Sequence, residues 1–229
     1  MCFPRILSIK IGKNLGVLIY HFFPKRKQVA LSNLNIAFPS KSKKELLVLL
    51  KKTYKHYTIL ITEFLRQKKN NLNKIKIYMD EDTRKILSSD KGQILMTAHM
   101  GNWEMIIPIL GKYKKTAIVV KIQNNSGGDK FIQNNRKFNN IELIPMRGSK
   151  RRMLEVLLEN KILGLASDQN AGERGTPIPF FGKPASVPKG AAFFHHITNC
   201  PIVVGFCTLN NDYSYQFKLR KLNVINHLI

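Results

Sequence analysis

Between residues 93 and 209, short apolar runs alternate with stretches of helical periodicity, and this alternation narrows the fold more than any other feature of the chain. The runs at 93–98, 117–121, 141–145, 162–167 and 201–209 are mostly apolar, as strands of a covered sheet are. Helical patterns at 103–112, 129–138, 149–160 and 189–198 separate them. This order predicts an α/β fold, a mostly parallel sheet flanked by helices. Pro108 is expected to kink or shorten the first of these helices. One more strand is expected at 213–219. The stretch 168–188 holds three glycines and four prolines with little periodicity, and it reads as a long binding loop.

The first 66 residues have a different texture. An amphipathic helix is expected at 6–23, closed by Pro24, then a short helical piece that stops at Pro39. Ser42 with Glu45 three residues on is a capping-box signature for a helix that runs to Arg66. The expected organisation is therefore a membrane-associating helical region, 1–66, and an α/β domain, 74–229, joined as one continuous fold after a polar linker at 68–73.

A chain of 229 residues has enough length for a sizeable core. With 44% hydrophobic residues and a mean hydropathy of −0.18, it is not a multi-span membrane protein. Three cysteines, Cys2, Cys200 and Cys207, offer neither a disulfide framework nor a zinc site, and no histidine spacing suggests a metal. The net charge of +24, from 38 basic and 14 acidic residues, calls for an anionic partner or reflects a lysine-rich composition. Glu45 is the one acid in residues 1–62, where lysines interleave with apolar stretches such as 15–20. That mixture fits an anionic membrane surface, with a peripheral or weakly anchored helix. The charge-free run at 14–23 is far shorter than the roughly 20 residues of a membrane span. No nucleic acid is expected, because basic residues are not interleaved with aromatic platforms and no recognition helix stands out.

The chemistry concentrates at His99-Met-Gly-Asn-Trp-Glu104. A histidine that ends a buried strand and precedes a helix stands at a junction where open α/β sheets build sites. With His99 in the loop and Glu104 in the first helical turn, the carboxylate can fold back onto one ring nitrogen and leave the other to act as a base. A surface ion pair is the competing reading. Backbone N–H groups at Gly101 and Asn102 are candidates for stabilising an oxyanion. No Gly-x-Ser-x-Gly elbow is present, and Cys200 and Cys207 read as buried core, so no acyl-enzyme is implied. Arg147, Lys150 and Arg151 belong to the densest basic cluster, at the start of a helix; they suit a phosphate, the acidic face of a protein, or a solvated turn. Of Phe180 and Phe181, one is expected on the core and one at the mouth of an acyl groove.

Together with Ser167-Asp-Gln-Asn-Ala-Gly172, Pro179-Phe-Phe-Gly-Lys-Pro-Ala185 and Ala30-Leu-Ser-Asn-Leu-Asn-Ile-Ala-Phe-Pro39, this segment resembles the bacterial lipid A biosynthesis acyltransferases. The resemblance runs from about Asn14 to Leu209. It implies transfer of a fatty acyl chain from acyl carrier protein to a hydroxyl of a lipid A precursor, at the cytoplasmic face of the inner membrane, with no cofactor. Another glycolipid or glycerophosphate acceptor, or a non-catalytic basic module, is the alternative. The resemblance also adds Arg136 and Asp168 to His99 and Glu104 as site residues, with Asp168 placed to restrain the arginine. It further implies that a C-terminal part is missing.

Overall fold

The computed structural model describes residues 4–70 and 72–224. The chain divides into two compact units, one formed by the chain up to Asn70 with Pro179–Lys183, the other by the remainder. Cys2 lies outside the described residues.

In the first unit, α1 (Arg5–Phe22) is followed by α2 (Pro24–Ala37) and α3 (Lys43–Leu65). The capping box at the start of α3 is present, with the Ser42 hydroxyl facing the Glu45 N–H and the Glu45 carboxylate accepting from the Ser42 N–H at 2.9 Å. Helix α1 lies against α3 through its small residues. A Cβ on Gly16 would stand 2.7 Å from the Lys55 Cα, and one on Gly12 3.0 Å from the Ile59 Cα. Ser8, one turn earlier, is buried, and Arg5 Nε reaches the buried Glu63 at 2.9 Å. The apolar stripe of α1, Leu7, Ile11, Leu15, Leu18 and Phe22, is left on the outside.

The second unit is built on a seven-stranded sheet. Its strands are β1 (Lys76–Tyr78), β2 (Gln93–Thr97), β3 (Thr116–Val120), β4 (Ile141–Pro145), β5 (Ile162–Ala166), β8 (Ile202–Leu209) and β9 (Tyr215–Lys221), in the order β1-β9-β8-β2-β5-β3-β4. The strands from β8 to β4 run parallel, as the alternation predicts. Strand β9 runs antiparallel to β8, because a short turn closed between Asn210 and Ser214 joins them and leaves no room for a crossover. The helices are α4 (Glu81–Ser88), α5 (Trp103–Tyr113), α6 (Ser126–Asn135), α7 (Lys150–Leu158) and α8 (Gly190–Thr198).

Alternate strand residues feed two cores. Leu95, Ile162 and Val203 pack with Met105, Ile109 and Leu110 of α5 and Leu87 of α4. Their neighbours Ile94, Leu163 and Ile202 point the other way, to Met153 and Val156 of α7 and Phe194 of α8. The sheet is thus covered on both faces. Helix α5 continues through Pro108 for 11 residues instead of stopping there. The expected loop at 168–188 contains a hairpin, β6 (Thr176–Phe180) with β7 (Lys183–Val187).

Candidate active site

Parallel register brings the first pair of site residues together. Thr97 at the end of β2 is level with Ala166 at the end of β5, and the Ser167 N–H donates to the Thr97 carbonyl at 2.9 Å. Two residues further along each chain stand His99 and Asp168. The Asp168 carboxylate holds His99 twice, through ring Nδ1 at 2.9 Å and through the backbone N–H at 2.9 Å. A carboxylate partner fixes the tautomer that carries its proton on Nδ1. Nε2, which makes no hydrogen bond among the described residues, then presents its lone pair. The two side chains are about one-third exposed, so a substrate can reach them.

The turn after His99 is set by a close approach to β8. Gly101 has φ +63°, and a Cβ there would stand 2.1 Å from the Cys207 carbonyl oxygen. Asn102, buried, then starts α5. Its N–H donates to that carbonyl at 2.7 Å, its Oδ1 accepts from the Met105 N–H at 3.4 Å, and its Nδ2 donates to the Tyr215 hydroxyl at 2.8 Å. Burial pushes the Cys207 thiol up to about 12, so it stays protonated at neutral pH and packs as core.

Glu104, in the first turn of α5, pairs with Arg136 at the C-cap of α6. Arg136 Nε donates at 2.9 Å and Nη2 at 2.5 Å to the two carboxylate oxygens, with side chains 19% and 11% exposed for Arg136 and Glu104. Trp103 stands between the two pairs. Its ring meets the His99 ring edge-to-face at 5.3 Å, and its Nε1–H donates to Glu104 Oε1 at 3.1 Å.

Four expected residues, His99, Glu104, Arg136 and Asp168, therefore converge, but with exchanged partners. Asp168, not Glu104, orients the imidazole, and Glu104, not Asp168, restrains Arg136. The reason is the turn at Gly101 and the entry of α5, which place Glu104 where α6 ends, whereas β5 delivers Asp168 at the height of His99. The Asn102 N–H is committed to the Cys207 carbonyl and is not a donor for an oxyanion; Gly101 and Asn102 shape the turn.

Arg147, Lys150 and Arg151 sit at the end of β4, three strands from β2, or about 14 Å along the same rim at ordinary strand spacing. Gly148 there has φ +76°, Arg151 pairs with Glu155 at 3.0 Å, and Lys150 Nζ lies 5.6 Å from the Phe193 ring centre. Arg152 of the same run is held by Glu142 at 2.7 Å and Glu159 at 2.6 Å. Phe180 and Phe181 belong to the first compact unit, at the tip of the β6–β7 hairpin. Both are exposed, against the expectation of one on the core, because Phe181 and Gly182 with positive φ form the two-residue turn itself. Trp103 and Tyr215 stand out little in the sequence, apart from Trp103 being the single tryptophan of the chain.

The sequence matches the family described as bacterial lipid A biosynthesis acyltransferases over residues 1–221. A phosphatidylinositol mannoside acyltransferase of Mycolicibacterium smegmatis is 25% identical over 134 residues, which is 55% of this chain and 43% of that protein. Among solved structures, the 1-acyl-sn-glycerophosphate acyltransferase PlsC from Thermotoga maritima aligns with 95% of this chain and 86% of its own, at 16% identity and a TM-score of 0.39.

Proposed function

The chain belongs to the bacterial lipid A biosynthesis acyltransferase family, and from that premise we propose that it transfers a fatty acyl chain from the thioester of acyl carrier protein to a hydroxyl of a lipid A precursor. The observation that carries the reading is the bidentate hold of Asp168 on His99 at adjacent strand ends, which leaves Nε2 without a hydrogen bond among the described residues.

In the proposed reaction the acceptor hydroxyl gives its proton to His99 Nε2 while its oxygen attacks the thioester carbonyl carbon. Asp168 stabilises the imidazolium that forms. The tetrahedral oxyanion collapses, the C–S bond breaks, and the imidazolium proton passes to the departing thiolate. The products are an ester and the carrier's free thiol. Arg136 has Nε and Nη2 engaged by Glu104, so Nη1 is the edge it offers to an anionic group of the substrate. Further along the rim, Arg147 and Lys150 suit the acceptor's phosphates or the acidic face of the carrier. The exposed Met100, Ile122 and Met146 offer apolar contact to the acyl chains.

The proposed location is the cytoplasmic face of the inner membrane. Supporting this, α1 turns its apolar stripe outward and the chain carries +24. No single described helix is long and apolar enough to cross a membrane. A second reading, a glycolipid acceptor of another kind, is favoured by the mycobacterial relative, a phosphatidylinositol mannoside acyltransferase.

The test is acyl transfer by the purified chain on anionic liposomes, with labelled acyl carrier protein and parallel acceptors: lipid A precursor, a mannosylated phosphoinositide and lysophosphatidic acid. Wild type is expected to label the lipid A precursor, and His99→Ala to lose about 10²-fold or more of that rate. Wild-type turnover in His99→Ala overturns the base assignment. Label confined to another acceptor moves the conclusion to the second reading.

A further inference from the structure

We propose that Trp103 is a positioning residue that clamps the His99 imidazole and ties the His99–Asp168 pair to the Glu104–Arg136 pair as one unit. Two contacts carry this. The indole ring meets the imidazole ring at 5.3 Å with the planes 62° apart, an edge-to-face geometry that fixes ring orientation. The same indole donates its N–H to Glu104 Oε1, the oxygen that also accepts from Arg136 Nη2. One side chain thus touches the imidazole on one side and the part-buried ion pair on the other.

The placement of Trp103 is itself well determined. Asn102 before it is fixed by the Cys207 carbonyl, by the Tyr215 hydroxyl and by the Met105 N–H. Glu104 after it is fixed by the Arg136 fork. Between two anchored neighbours the indole has little freedom to turn away. Asp168 holds Nδ1 and sets the tautomer, while a hydrogen bond to one ring nitrogen still permits the ring to tilt about that bond. The indole edge removes this remaining freedom, so Nε2 keeps one direction.

This inference rests on the acyl-transfer reading for its kinetic consequence but not for its geometry, and the two are tested separately. Trp103 is the only tryptophan in the chain, so its emission reports this site alone. An imidazolium in contact with an indole quenches its fluorescence. The charged groups around the contact are Asp168 from the end of β5, Glu104 from α5 and Arg136 from the end of α6. Titration of emission against pH is compared for wild type, His99→Gln and Glu104→Gln. Wild type is expected to show a quenching step on acidification that vanishes in His99→Gln and survives, with altered emission above the step, in Glu104→Gln. A step that persists unchanged in His99→Gln overturns the clamp, whether or not the protein turns over.

Transfer kinetics then separate clamping from folding. Trp103→Leu is expected to lower kcat by about 10-fold with KM changed less than about 2-fold, and Trp103→Phe, which keeps an aromatic edge but no N–H, to recover most of that loss. Equal loss in both variants, or a loss confined to KM, contradicts a positioning role. An intact fluorescence step in a wild-type protein that transfers nothing overturns the proposed reaction and leaves the clamp standing.

Discussion

At the residue scale, Gly101 decides whether the site forms. Its φ of +63° disfavours any side chain, and a Cβ would run into the Cys207 carbonyl, a backbone atom that cannot swing aside. Gly101→Ala is therefore expected to lower stability by more than about 2 kcal/mol, from left-handed backbone strain plus a forced shift of the turn. Denaturant unfolding checks this, and a cost under about 0.5 kcal/mol would contradict it. At the same scale the sequence was legible in identity and misleading in partnership. His99 and Glu104 are visible because they sit beside a buried strand and a helix start. Asp168 lies 69 residues from His99, and nothing in local spacing shows that β5 lies next to β2. Arg136 and Glu104 are separated by 32 residues, so their pairing is equally hidden.

At the element scale, α7 is tied to β4 and to its own end by charge. Arg152 bridges Glu142, Glu155 and Glu159, and Lys161 adds to Glu142 and Glu159. Hydrogen bonds from Arg152 and Lys161 hold the Glu159 carboxyl down to about 2, and those from Arg152 also lower Glu142. A carboxyl held lower in the folded chain than in the unfolded one stabilises the fold above its ordinary value of 4.5, and that contribution fades as pH falls toward about 2. The unfolding midpoint is expected to drop as pH falls from 5 toward about 2, and Arg152→Met is expected to flatten that drop. An identical acid limb in the variant would remove the cluster from the account. Most elements with a buried face were legible as periodicity, but α4, whose eight residues bury only Thr83 and Leu87, was not. The β6 strand was not, because all five of its residues are exposed and carry no apolar alternation. Strand β1 spans three residues, too few for a pattern.

At the scale of the whole molecule, the alternation of strands and helices places the candidate site residues at the shared carboxyl end of a parallel sheet. The register turns this into chemistry, since adjacent strand ends present His99 and Asp168 at one height. The basic composition and the outward apolar stripe of α1 are the two features on which the proposed contact with an anionic lipid layer rests. Charge was readable from composition. The outward direction of the α1 stripe was not, because it depends on Ser8, Gly12 and Gly16 giving α1 a closer fit to α3 than its larger residues allow. The central claim is that Asp168 is the carboxylate that makes His99 a base. The most direct measurement is the rate of acyl transfer on anionic liposomes by Asp168→Asn beside Glu104→Gln, with folding checked by circular dichroism. The account predicts a loss of about 10²-fold or more in kcat for Asp168→Asn in a folded protein, because an amide cannot stabilise the imidazolium. Near-wild-type turnover in Asp168→Asn, with the loss confined to Glu104→Gln, would contradict it.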